Sequence, residues 1–113
     1  MEKAHQQRIK HFLKKLSYAV NQNQVYIDQR KKKNNDTLAK LNLPNFEAVK
    51  ILKRLKIHNY IDGPKPDTKG RPGEIWVFKI DIVKMALYIK MLAPEKDKVG
   101  PINCLSFHED FMK

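Results

Sequence analysis

The spacing of apolar residues changes period near the middle of the chain. Over residues 4–21, Ile9, Phe12, Leu13, Leu16 and Val20 fall on one stripe of a 3.6-residue helix, with Lys10, Lys14 and Lys15 off it. Val25-Tyr26-Ile27 reads as a short strand or an extended connector. Asn35 or Asp36 can cap a short helix carrying Leu38 and Leu41, and Pro44 stops it. Asn45 is placed to cap the next helix. There Phe46, Val49, Leu52 and Leu55 recur on one face, and Lys50, Lys53, Arg54 and Lys56 lie mostly away from it. Residues 62–73, DGPKPDTKGRPG, hold three prolines and three glycines, a density that predicts a loop. Beyond it, residues 74–80, 84–92 and 102–108 read as strands. The last two are joined by the polar turn APEKDKVGP. Short links without a crossover helix imply antiparallel pairing.

Helices first and an antiparallel sheet after them predict an α+β fold in two layers, the N-terminal helices packed on one face of a C-terminal sheet. At 113 residues the chain is expected to be a single domain, 1–113, with a helical half at 1–58 and a sheet half at 59–113. Side chains alternate faces along a strand. Met85, Leu87, Ile89 and Met91 therefore share one face, and Ala86, Tyr88 and Lys90 the other. In the last strand Leu105 and Phe107 share one face, and Cys104, Ser106 and His108 the other. Placing the all-apolar faces against the helices sends Tyr88, Lys90, Ser106 and His108 to the open side. A pairing in which residue numbers sum to 196 sets Lys90 opposite Ser106 and Tyr88 opposite His108. A one-residue slip would send one strand to the wrong face. Trp76 and Phe78 share a strand face. Packing is the first reading for them and RNA-base stacking by Trp76 the second.

Charge adds a partner to this picture. Lys and Arg total 23 against 12 Asp and Glu, a net of +11 with a pI near 9.8. Residues 1–57 hold 14 basic and 4 acidic side chains, whereas residues 58–113 hold 9 and 8. Such a chain attracts polyanions. The run Lys31-Lys32-Lys33 and the loop residues Lys65, Lys69 and Arg71 are the candidate phosphate contacts. The single cysteine, Cys104, permits no intramolecular disulfide, and no His/Cys/Asp/Glu spacing suits a metal, so neither metal nor cofactor is expected. With no apolar signal segment and no long apolar run, the expectation is a cytoplasmic protein without a membrane partner.

A phenol, an ammonium, a hydroxyl and an imidazole on one exposed sheet face suit metal-free RNA cleavage. A base takes the proton of a ribose 2′-hydroxyl, a cation stabilises the charge on the phosphate, and an acid protonates the leaving 5′-oxygen. Histidine can serve either proton step near neutral pH.

Several short pieces stand in order: Tyr60 with Gly63-Pro64, Ile75-Trp76 opening a strand, Leu87-Tyr88-Ile89-Lys90, and Leu105-Ser106-Phe107 before His108. In that order and spacing they resemble the MqsR family of bacterial type II toxins over roughly residues 45–110, and more loosely the first helix. The resemblance implies a RelE-like α+β fold and a sequence-selective mRNA endoribonuclease, an mRNA interferase that needs no metal. It also implies mRNA as the partner, on or off the ribosome, and a cognate antitoxin protein that neutralises the toxin. The family's tyrosines fall on Tyr60 and Tyr88, and its strand lysine on Lys90. Two positions depart: Ile61 stands where the best-known branch has lysine, and Val77 where it has glutamine. Lys65 and His108 are the candidates to replace them. The competing expectation is a non-enzymatic basic protein that binds nucleic acid or regulates through an acidic partner. A metal nuclease is disfavoured, because the acidic residues form no cluster.

Overall fold

The long N-terminal helix forms where its apolar stripe predicts it. In the computed structural model, which describes residues 2–110, α1 spans Lys3–Asn21 and buries Ile9, Phe12, Leu16 and Val20. Val25–Ile27 is a strand, β1, with Val25 and Ile27 turned inward and Tyr26 outward. Helix α2, Lys32–Leu41, begins earlier than a cap at Asn35 or Asp36 would set it, and Lys31 occupies the cap position. Helix α3, Asn45–Ile51, takes Pro44 rather than Asn45 as its cap residue and continues into short 3-10 turns at Leu52–Arg54 and Ile57–Asn59. Ala48, Val49 and Ile51 of α3 are buried, as are Leu52 and Leu55 after it, whereas Phe46 is turned out to solvent at 63% exposure.

The stretch expected to be loop from residue 62 is partly strand. β2 spans Tyr60–Lys65 and pairs with β3, Glu74–Ile82, through two register irregularities. An edge strand tolerates Pro64 because one side of it needs no ladder bonds. Gly63 is required there: its φ is +107°, and a Cβ would lie 2.3 Å from the Ile75 oxygen. Residues 66–73 remain loop and turn.

β4, Met85–Ala93, and β5, Ile102–Glu109, complete a five-stranded sheet in the order β1-β5-β4-β3-β2. It is mixed rather than wholly antiparallel, because β1 lies parallel to β5. The long chain between these two strands gives the crossover that parallel pairing requires. Across β4–β5 the register is Leu87–Glu109, Tyr88–His108, Ile89–Phe107 and Lys90–Ser106, each summing to 196. It then shifts to Met91–Cys104. This bulge corrects the expected facing of two residues: Cys104 joins Phe107 in the helix-side core, and Leu105 turns to the other face with Ile75, Val77 and Leu92.

β1 covers only the first part of β5's outer edge. Beyond it, α2 side chains take the place of a strand. Asn34, fully buried, donates from Nδ2 to the Asp28 oxygen (2.8 Å) and the Leu105 oxygen (3.2 Å), and its Oδ1 accepts from the Phe107 amide (2.9 Å). Thr37 Oγ1 accepts from the Glu109 amide at 2.9 Å. Lying at i and i+3, the two face the same edge. On the helix side Phe12 stacks on Trp76 at 4.5 Å between ring centroids. Among the described residues no helix is long and apolar enough to cross a membrane.

Candidate active site

The face of the sheet away from α1 carries the polar residues in transverse rows. Lys79, Tyr88 and His108 form one row across β3, β4 and β5, and Val77, Lys90 and Ser106 form the next. Tyr88, Lys90 and His108 are all half-buried. The Tyr88 and His108 rings stack 5.5 Å apart with 27° between their planes. His108 Nδ1 lies 3.0 Å from the backbone oxygen of Glu109. A carbonyl only accepts, so Nδ1 carries the hydrogen, and the neutral ring keeps its lone pair on Nε2. Among the described residues neither His108 Nε2 nor the Tyr88 hydroxyl has a hydrogen-bond partner. Two acids flank the row. Glu109 pairs with Lys40 of α2 at 2.9 Å and Asp110 with Lys79 at 2.6 Å.

Lys31 links Lys90 to the cations of the 66–73 loop. Lys31, at the start of α2, has its ammonium pushed down from its ordinary value by burial. Asp28 pulls it back up, and Lys90, Lys69 and Arg71 push it further down. Lys69 and Arg71 arrive from the 66–73 loop, which Asp67 folds. Its buried carboxylate takes the Arg71 guanidinium and the amides of Lys69 (3.4 Å) and Arg71 (3.3 Å). The Arg71 guanidinium holds the Asp67 carboxyl down to about 2. Lys65, paired with Asp62, lies close enough to Tyr88 and Tyr60 to feel both. Of the expected contacts, Lys31 therefore lies within electrostatic reach of Lys90, Lys69 and Arg71, whereas Lys65 stands apart from these four, beside Asp62 and the two tyrosines. Lys32 and Lys33 are not tied to this face: Lys32 turns along α2 to Asp36 at 2.8 Å, and Lys33 is exposed on the helix.

Three expectations change. Trp76 is 2% exposed and stacked in the helix-side core, so it presents no surface to an RNA base. Tyr60 stands opposite Phe78 on the helix side of the sheet, not beside Tyr88. Its hydroxyl donates to the Gly63 oxygen and accepts from His5 Nε2 at 3.0 Å, and burial pushes its pKa up. Tyr60 is therefore a clasp for the β2 bulge. Ser106 faces the site beside Lys90 but is 6% exposed, which makes it part of the floor. Burial pushes the Cys104 thiol up to about 12, far from a reactive thiolate.

Two residues that matter escaped the sequence reading. Asn34 sits inside a polar run and looks solvated, and nothing local announces its long-range bonds. Asp67 did carry a signal, since an Asp two and four residues before Lys69 and Arg71 can fold a turn onto its own carboxylate. Among the described residues no group of three or more His, Cys, Asp or Glu side chains is placed to hold a metal ion. No protein-family model matches the chain, and no curated protein or solved structure is significantly similar to it.

Proposed function

We propose that the chain is a metal-independent endoribonuclease of the mRNA interferase kind, cutting on the open face of the sheet. The observation that carries this reading is the pairing of Tyr88 with His108 one row from Lys90, with Lys31 within electrostatic reach of Lys90 and of the loop cations Lys69 and Arg71. His108 Nε2 takes the proton of a ribose 2′-hydroxyl. The freed oxygen attacks the adjacent phosphorus, and the bond to the 5′-oxygen breaks. Lys90 and Lys31 face the charge that builds on the phosphate. The Tyr88 hydroxyl positions the phosphate and is placed to return a proton to the leaving 5′-oxygen. The products are a 2′,3′-cyclic phosphate and a 5′-hydroxyl.

The two-layer arrangement, with helices on one face of the sheet, suits the RelE-like fold that the resemblance to MqsR toxins implies. Under that reading the substrate is mRNA, and a cognate antitoxin protein neutralises the chain. The second reading, a basic protein that binds nucleic acid without cutting it, draws on the same cations but leaves the stacked Tyr88–His108 pair without a task.

Expression alone separates the two, because a toxin arrests growth and a binding module is tolerated. Mapping cut positions on a defined mRNA with and without ribosomes then shows where the enzyme acts. Arrest without any RNA cutting in either condition would defeat the nuclease reading.

A further inference from the structure

The row beyond Lys90 contains a second feature that the cleavage chemistry does not use. Tyr26 on β1, Asn103 on β5 and Leu92 on β4 are register partners across three strands. Tyr26 is 54% exposed, and Asn103 is exposed beside it. These residues line a cleft of about 300 Å³ floored by Leu92 and Leu105 and rimmed by Arg30 and Arg71. The volume lies at the small end of small-molecule sites, and an apolar floor with a few convergent polar groups is their usual make-up.

Both arginines are ion-paired with an aspartate. Arg30 grips Asp28 through Nε (3.0 Å) and Nη2 (3.2 Å), and Arg71 grips Asp67 through the same two nitrogens. Each guanidinium has five N–H donors and keeps the others for a ligand. Leu92 lies two residues along β4 from Lys90, about 7 Å at the usual strand rise. A strand whose phosphate sits at Lys90 and Tyr88 has its neighbouring nucleotide over this cleft.

We infer that the cleft is a nucleobase subsite, in which Tyr26 stacks on the base adjoining the cut and Asn103 reads its edge. An exposed tyrosine is a stacking platform that any base can use. A carboxamide offers one acceptor and two donors to a Watson–Crick edge, which is how unpaired RNA bases are told apart. Arg30 and Arg71 hold the phosphates on either side of that base. The inference rests on the nuclease reading and supplies what that reading lacks, a source of sequence preference.

The test uses the full chain, wild type, Tyr26→Ala and Asn103→Ala, with Tyr18→Ala on α1 as control. Cut positions are mapped on an RNA pool with every base varied. Binding is measured in parallel on short oligoribonucleotides, intact or abasic at one position. The wild type should prefer particular bases at one position beside the cut. Tyr26→Ala should raise KM roughly five- to a hundredfold, the worth of one stacked base, and Asn103→Ala should relax the base preference. Tyr26→Ala should lose most of the discrimination between intact and abasic oligomers and Asn103→Ala part of it, and Tyr18→Ala should leave it unchanged. An active wild type whose cut-site preference and KM survive both substitutions would overturn the subsite and leave the nuclease reading standing. A chain that binds RNA without cutting would defeat the nuclease reading, and the abasic comparison would still decide the subsite. No discrimination by the wild type in that comparison would overturn it.

Discussion

Two tyrosine–histidine pairs lie on opposite faces of one sheet, and they do opposite work. On the helix side, His5 meets Tyr60 edge-on at 5.2 Å, and the Tyr60 hydroxyl is used twice, once by His5 and once by the Gly63 oxygen. On the open side, Tyr88 and His108 stack face to face, and both reactive atoms, the Tyr88 oxygen and His108 Nε2, are without a partner among the described residues. The same two side chains make a clasp where their hydrogen bonds close on each other and on the backbone. They make a candidate proton relay where those bonds are left for a ligand. Surroundings decide between the outcomes: an aromatic core of Trp76 and Phe78 around Tyr60, and for Tyr88 a polar row with Lys79 as its strand partner and the Lys65 ammonium within electrostatic reach.

Substituting the histidine of each pair should break this comparison most sharply. His108→Ala should lower the cleavage rate by about a hundred- to ten-thousandfold, the usual worth of general acid–base catalysis, with RNA binding kept. His5→Ala should leave the single-turnover rate within a few-fold of wild type. Equal losses in the two variants would mean that the open-face pair is no more catalytic than the clasp.

Lys90 sharpens the same contrast. A cation beside the reacting phosphate matters more in the transition state than in the ground state. Lys90→Ala should cost about a hundredfold or more in single-turnover rate and much less in affinity for a 2′-deoxy substrate analogue. Matched losses would reduce Lys90 to a phosphate contact.

The third prediction concerns the edge that holds the open-face strand in place. Asn34→Ala leaves the Leu105 oxygen and the Phe107 amide without their side-chain partner, at a cost of about 3 kcal/mol in unfolding free energy. Asn35→Ala, on the exposed side of the same helix, should cost less than about 1 kcal/mol. Denaturant titrations compare the two, and similar values would show that Asn34 does not seal the β5 edge. The smallest effect is on salt dependence. Replacing Lys31 and Lys69 with Gln should flatten the slope of log K for single-stranded RNA against log salt by about 0.7 for each lost contact. Replacing Lys32 and Lys33 should leave it unchanged.

How much of this was legible follows from what carries each feature. The apolar stripe of α1 and the alternation along β4 are local patterns; keeping Ile89 and Phe107 on one face requires only an even register sum, and the sum of 196 that sets Tyr88 against His108 is one such pairing. The bulge at Leu105 is not local. It inserts one residue between two regular stretches of pairing, which alternation along β5 does not reveal, so Cys104 and Leu105 face opposite to the expected sides. β2 was hidden because Gly63 and Pro64 signal a loop, and only the bulged pairing with β3 makes a strand of them. Lys31 could be separated from Lys32 and Lys33 only once the helix start was known, since Lys31 then takes the cap position of α2 while Lys32 pairs along the helix with Asp36.

What the open face does to RNA is the decisive property of the protein. A defined mRNA fragment incubated with the chain in excess chelator, with product ends analysed, tests that directly. Fragments ending in 2′,3′-cyclic phosphate and beginning with 5′-hydroxyl, formed at the wild-type rate despite the chelator and absent with His108→Ala, are the predicted result. Fragments carrying 3′-hydroxyl and 5′-phosphate ends, or cutting abolished by the chelator, would contradict the mechanism built on Tyr88, Lys90 and His108.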